Sequence, residues 1–251
     1  MNVIGIIPAR YESTRFPGKP LIDINGKSMI CRVYEQVKRS MLINKVIIAT
    51  DDERIEAHAG SFNAEVIMTS TKHKTGTDRC YEAARVLWAR QIISSDDIVI
   101  NIQGDEPFIN PEQINSLAKC FFDDNVNIAT LVKEIDNQEE LQNHNVVKVV
   151  LNKNNEAIYF SRYAIPFNRN IEKNDWIAHS KYYKHIGMYG YRYKTLCELA
   201  LLEPTMLEKS ESLEQLRWIE NAYKIYTEKT NHESISIDTP EDLKKINGLL
   251  F

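Results

Sequence analysis

Apolar residues in the first hundred positions fall into short unbroken runs separated by stretches of helical periodicity. Val3-Ile4-Gly5-Ile6-Ile7, the run at 45–50, the segment near 65–68 and the run at 97–102 are continuous and rich in β-branched residues. That is the pattern of strands covered on both faces, as in the middle of a parallel sheet. Between them Met29, Val33 and Val37 repeat at helical spacing within 28–40, a short helix passes through Ile55 and Ala59, and 76–91 reads as a longer helix. Strands alternating with helices through short connections predict right-handed βαβ units and a single doubly wound, mainly parallel, Rossmann-like α/β sheet.

The rhythm changes after about residue 125. Runs at 127–135, 146–151, 157–160 and 182–191, with Asn154-Asn155 as a hairpin turn, predict an added antiparallel section. Helices are expected at 193–202 and 208–221 and strands at 224–227 and 234–237. A closing helix then starts from Thr239 as N-cap with Pro240 in its first turn. No Pro/Gly/Ser-rich linker and no repeat interrupts the chain, so residues 1–251 are expected to form one domain carrying an inserted β-rich section at approximately 127–192.

Composition removes several classes. Hydrophobic residues at 43% and charged residues at 26% exclude a disordered chain, and the net charge of −4 argues against nucleic-acid binding. No stretch approaches the roughly 20 apolar residues that a membrane span needs. Cys31, Cys80, Cys120 and Cys197 form no C-x-x-C pair, so they are expected as reduced thiols in a cytoplasmic protein. The charge is nonetheless segregated. Residues 1–40 carry Arg10, Arg15, Lys19, Lys27, Arg32, Lys38 and Arg39 against Glu12, Asp23 and Glu35.

The loop Pro8-Ala9-Arg10-Tyr11-Glu12-Ser13-Thr14-Arg15-Phe16-Pro17-Gly18-Lys19-Pro20 follows the first strand. It therefore lies at the carboxyl edge of the sheet, where open α/β folds bind ligands. Arg10, Arg15 and Lys19 supply positive charge, while Ser13, Thr14 and Gly18 supply hydroxyl and backbone donors, a combination suited to a polyphosphate. It is neither a Walker A loop nor a Gly-x-Gly fingerprint, and it identifies the anion without identifying the reaction. Asp105 ends an apolar strand beside Glu106 and Pro107, a position for a metal ligand, although turn acids occupy such places too. Asp238 also ends an expected strand and precedes the capped helix, where an acid is favoured in any case. Nothing in the spacing shows that the two converge. Gly76-Thr77-Asp78-Arg79 opens a helix whose amides can face an anion. His185, Tyr189 and Tyr191 alternate onto one strand face with Gly187 as a gap, a shelf for a polyhydroxylated ligand or simply a half-exposed aromatic strand. His58, His73, His144, His179 and His232 form no pair at metal spacing and read as surface or core residues.

These segments also resemble a known family. The loop from Ile7 to Leu21, Gly76-Thr77-Asp78-Arg79, Asn101-Ile102-Gln103-Gly104-Asp105-Glu106-Pro107, Val146–Val150, Tyr159-Phe160-Ser161-Arg162, His185–Tyr191, Leu213-Glu214-Gln215-Leu216-Arg217 and Ile237–Leu243 are similar, in order, to the motifs of the 3-deoxy-manno-octulosonate (Kdo) cytidylyltransferases. Residues 165–181 and 227–234 match least. The resemblance implies the nucleotide-diphospho-sugar transferase type of fold and transfer of CMP from CTP to the anomeric hydroxyl of Kdo or another 3-deoxy or amino-substituted sugar acid, for lipopolysaccharide precursors. It implies nucleotide contacts from Pro8, Ala9, Arg10, Ser13, Arg15, Lys19, Thr77, Arg79 and Asp105. Sugar contacts are implied for Gln103, Ser161, Arg162, His185, Tyr189, Glu214 and Gln215, with Arg162 facing the sugar carboxylate. Mg²⁺ is implied on Asp105 and Asp238, with Arg10, Lys19, Asp105 and Asp238 as the catalytic group and a homodimer formed through the β-rich section. A sugar-nucleotide-dependent glycosyltransferase is the competing enzyme class, but no Asp-x-Asp triplet occurs. A non-catalytic nucleotide sensor would have no need of two metal acids.

Overall fold

The computed structural model describes residues 1–12, 16–233 and 235–247. In chain order its elements begin with β1 (Val3–Ala9), the short ribbon β2 (Asp23–Ile24) and β3 (Lys27–Ser28), α1 (Met29–Lys38), β4 (Lys45–Thr50), α2 (Glu53–Gly60) and β5 (Glu65–Met68). They continue with α3 (Gly76–Ala89), β6 (Ile98–Asn101), α4 (Pro111–Lys119), β7 (Ile128–Glu134), α5 (Gln138–Gln142), β8 (Lys148–Leu151) and β9 (Ala157–Ser161). The last are α6 (Trp176–His179), β10 (Tyr183–Arg192), α7 (Tyr193–Leu199), α8 (Met206–Glu211), α9 (Gln215–Glu220), β11 (Tyr226–Lys229) and α10 (Pro240–Asn247).

Seven strands form the main sheet in the order β11-β7-β10-β6-β1-β4-β5. β1 pairs in parallel with both β4 and β6, while β10 runs antiparallel between β6 and β7. Of the section at 127–192, β7 and β10 lie inside this sheet, and β8 and β9 branch from it through β10. Both faces are covered, which explains the unbroken apolar runs. Val3 and Ile7 of β1 pack with α1, α2 and α4 through Ile30, Val33, Ile55 and Ile114. Ile4 and Ile6 pack with α3, α7 and α9 through Ala83, Leu87, Leu196 and Trp218. The doubly wound α/β fold expected from the periodicity is present.

Three local departures stand out. The sequence reading assigns no element to α4, although Ile114, Leu117, Ala118 and Phe121 repeat at helical spacing behind the Asn110 cap and Pro111. Asn115 Oδ1 accepts from the Ser40 hydroxyl and the Met41 and Leu42 amides, so its polarity is used. The single helix expected over 208–221 is two, α8 and α9, broken where Ser212 adopts φ 52°, a left-handed conformation. The strand expected at 234–237 is not formed over 235–237, and Ser234 lies outside the described residues. Instead the Ile237 amide donates to the Asp105 carbonyl at 2.9 Å.

The chain leaves β1 toward β4 and β5 on one side and returns to β6 on the other. The sheet's switch point thus lies between the carboxyl ends of β1 and β6, where a crevice opens.

Candidate active site

A cleft of about 270 Å³ occupies that crevice. Its walls are the β1 exit (Pro8, Ala9, Arg10), the turn carrying Lys19 and Pro20, the approach to α3 (His73, Lys74, Thr75, Gly76), the β6 exit (Gln103, Gly104, Asp105) and Asp238. Two glycines make the loops fit. A Cβ on Gly104 would stand 2.7 Å from the Pro8 carbonyl oxygen, so only glycine lets the β1 and β6 exits touch. Gly18, at φ 72°, turns the chain into the Lys19–Leu21 helical turn, and its amide donates to the Tyr11 carbonyl. The buried Pro20 then anchors the backbone directly after Lys19.

The two aspartates converge. Lys19 Nζ lies 2.6 Å from Asp105 Oδ2 and 3.1 Å from Asp238 Oδ1. The Ile237–Asp105 backbone bond holds the two segments side by side, and the Ile237 side chain is wholly buried with Ile24 and Met29. One residue further on, Asp242 Oδ2 accepts from the Asp238 amide at 3.2 Å and the Thr239 amide at 3.0 Å, fixing the turn that presents Asp238. Two carboxylates reaching one cationic centre match the protein share of a Mg²⁺ shell completed by phosphate and water. Among the described residues no group of three or more His, Cys, Asp or Glu side chains forms a ligand set, so this pair would need substrate and solvent ligands.

The helix α3 points its amino end at the same cleft, adding the positive end of its dipole. Thr75 and Asp78 close a reciprocal capping box, leaving the Gly76 region open to the cleft. Arg79 lines the wall but is 4% exposed, with Nη2 at 2.7 Å from Asp51 and Nη1 on the Thr69 hydroxyl. Much of its donor capacity is therefore spent inside the protein. Thr77 is buried and gives its hydroxyl to Glu214 at 2.7 Å, placing it behind the cleft.

The residues expected around the sugar separate into three groups. Gln103 is in the cleft, its Nε2 donating to the Gly187 carbonyl at 2.9 Å. His185, Tyr189 and Glu214 form a deeper polar group, with the His185 and Tyr189 rings 5.1 Å apart and Tyr189 packed edge-on against Trp218. Burial drives the His185 pKa down to about 3, so its imidazole is neutral at working pH. Thr130 Oγ1 donates its one proton to the Met188 carbonyl at 2.8 Å, so His185 Nε2 supplies the hydrogen in their 2.9 Å contact. Burial pushes the Glu214 carboxyl up, partly offset by the Thr77 hydroxyl. Gln215 is buried beside it at the start of α9. Ser161 and Arg162 are engaged with Glu211 at the end of α8, next to Phe160, whose ring packs edge-on against His185 at 5.2 Å. The Ser161 hydroxyl and Arg162 amide donate to the Glu211 carboxylate at 2.7 and 2.9 Å, and Arg162 Nε donates to the Glu211 carbonyl at 2.8 Å.

Ser13 and Arg15 lie outside the described residues. Lys74, Thr75 and Gly104 line the cleft without having been singled out, and His73, read as a surface or core residue, lines it too. The signal for them was adjacency: each lies within three residues of a motif position already chosen.

Known proteins share both the sequence and the fold. The family model described as Cytidylyltransferase matches residues 4–229. A 3-deoxy-manno-octulosonate cytidylyltransferase of Parabacteroides distasonis is 55% identical over 100% of this chain and 98% of its own, and that of Bacteroides thetaiotaomicron is 54% identical over the same shares. A solved CMP:2-keto-3-deoxy-manno-octonic acid synthetase complexed with CTP superposes with a TM-score of 0.89 at 38% identity, covering 100% of this chain and 98% of that one. A 4-diphosphocytidyl-2C-methyl-D-erythritol synthase, at TM-score 0.66 and 10% identity over the full length of both chains, shares the fold alone. With near-complete relatives on one side and a strand-edge cleft of converging acids and bases on the other, the chain belongs to the 3-deoxy-manno-octulosonate cytidylyltransferase family.

Proposed function

We propose that this chain transfers the cytidylyl group of CTP to the anomeric hydroxyl of Kdo, giving CMP-Kdo and pyrophosphate for lipopolysaccharide precursors. The observation that carries the reading is the meeting of Lys19, Asp105 and Asp238 in one cleft at the sheet's switch point. In the reaction the sugar oxygen forms a bond to the α-phosphorus, the bond from that phosphorus to the bridging oxygen breaks, and the hydroxyl proton leaves to solvent. No covalent enzyme intermediate is required. Arg10 and Lys19, with the amino end of α3, spread the charge gathering on the departing pyrophosphate. His185, Tyr189, Glu214 and Gln103 hold the sugar by neutral and polar contacts, so catalysis is mainly positioning and electrostatics.

Mg²⁺ fits Asp105 and Asp238, and when bound it would neutralise phosphate charge and make the attacking hydroxyl more acidic. Four free cysteines and an intracellular nucleotide as substrate support a cytoplasmic location. The family resemblance supports a homodimer through the 127–192 section, which a monomeric mass at micromolar concentration would overturn. The test of the activity is CTP-dependent pyrophosphate release across a panel of sugar acids. Release with Kdo is expected; release only with an amino-substituted relative would move the substrate, and none with any acid would remove the activity.

A further inference from the structure

The acid pair assigned to the metal is already bridged by a cation of the protein's own. Lys19 Nζ spends two of its three protons on Asp105 and Asp238, and its side chain is 14% exposed against 25% and 34% for theirs. The backbone on either side of Lys19 is held: Gly18 by its amide bond to Tyr11, Pro20 by burial. Any movement of the ammonium must therefore come from rotation of its four-carbon stem, which reaches along the same cleft as Arg10 and Gly76. An ammonium and a divalent cation held on this one pair of carboxylates would stand within a few ångströms of each other and repel strongly.

We propose that Lys19 is the internal competitor of the metal, and that nucleotide triphosphate unlocks the site by drawing the ammonium onto its phosphate oxygens. This inference rests on the reading of Asp105 and Asp238 as metal ligands. It follows that metal and nucleotide load in a coupled manner: the free protein holds a divalent cation weakly, and each ligand strengthens the other. Lys19 thus has two duties at different stages, tying the acids together before binding and meeting phosphate afterwards.

The test is direct Mn²⁺ binding, followed by electron paramagnetic resonance without turnover. Wild type, Lys19→Met and Asp105→Asn are titrated with Mn²⁺ alone and with a non-hydrolysable CTP analogue, correcting for Mn²⁺ held by the free analogue. Lys19→Met is expected to bind Mn²⁺ without nucleotide about tenfold tighter than wild type, a difference of about 1.4 kcal/mol. The analogue is expected to tighten Mn²⁺ binding in wild type and to add little in Lys19→Met. Equal affinity of wild type and Lys19→Met without nucleotide overturns the role of Lys19 while leaving the metal site in place. Affinity unchanged in Asp105→Asn overturns the metal reading itself. Should Lys19→Met fail to fold by circular dichroism, Lys19→Gln takes its place, with tighter Mn²⁺ binding without nucleotide expected and affinity equal to wild type overturning the role of Lys19.

Discussion

Glu214 is held at a cost. Its folded pKa is raised by burial, so its stabilising contribution is complete below the pKa of the unfolded chain and is lost as pH rises through the folded value. Above its folded pKa the carboxylate is a desolvated charge. Glu214→Gln keeps an acceptor for the Thr77 hydroxyl and removes that charge, so its melting temperature should exceed wild type at pH 8 and converge with it near pH 4, as calorimetry at both values would show. Activity should fall in the same variant if the carboxylate holds the sugar, an instance of stability given up for function. At the opposite wall, Asp105→Ala and Lys19→Ala should each cost at least about 2 kcal/mol of transition-state stabilisation, read from kcat/KM at saturating Mg²⁺. Near wild-type turnover in Asp105→Ala would remove that residue from the reaction. Gly104→Ala tests geometry instead of charge, because its Cβ would force the β1 and β6 exits apart. A several-fold rise in KM for CTP with little change in melting temperature is expected; an unchanged KM would mean the two loops tolerate separation.

Elements explain which parts of the molecule were legible in the sequence. β1, β4 and β6 were plain because strands covered on both faces leave unbroken apolar runs, and the edge strand β5 showed through its short Val66-Ile67-Met68 run. α4 carries a signal as well, Ile114, Leu117 and Ala118 at helical spacing behind Asn110 and Pro111, and went unassigned, whereas the break at Ser212 was hidden inside a stretch of good helix formers. Of the site, the basic loop was legible because it follows β1 directly. The meeting of Asp105 with Asp238 was not, because it depends on one backbone bond and the burial of Ile237, neither of which has a sequence period. Arg79 shows the same limit. Its motif suggested a nucleotide donor, yet the structure seats it between Asp51 and Thr69, joining the start of α3 to the ends of β4 and β5. Arg79→Met should cost about 3 kcal/mol in urea unfolding, since it strands a largely buried carboxylate. A loss confined to KM with unchanged stability would return Arg79 to a purely ligand-facing role.

Across the whole molecule, β10 joins two halves, pairing with β6 of the parallel half and with β7 and β8 of the other. Polar groups expected at the sugar sit on or beside it, and the cleft lies on the parallel side. The overall charge of −4 hides this division, because the loop after β1 is basic while the acids that meet it come from far along the chain. No helix among the described residues is long and apolar enough to cross a membrane.

The support beneath Asp238 is slight by comparison. Among the described residues Ile237 packs in a satellite cluster with only Ile24 and Met29 as fully buried partners, separate from the two large cores on the faces of the sheet. Segments resting on few apolar contacts open at lower free energy than the global fold. The enzyme should therefore fall silent before it comes apart: in a urea titration, the midpoint for loss of turnover should precede that for fluorescence of Trp218, which sits 1% exposed in a large core. Coincident midpoints in wild type would show that the last aspartate is secured as firmly as the sheet.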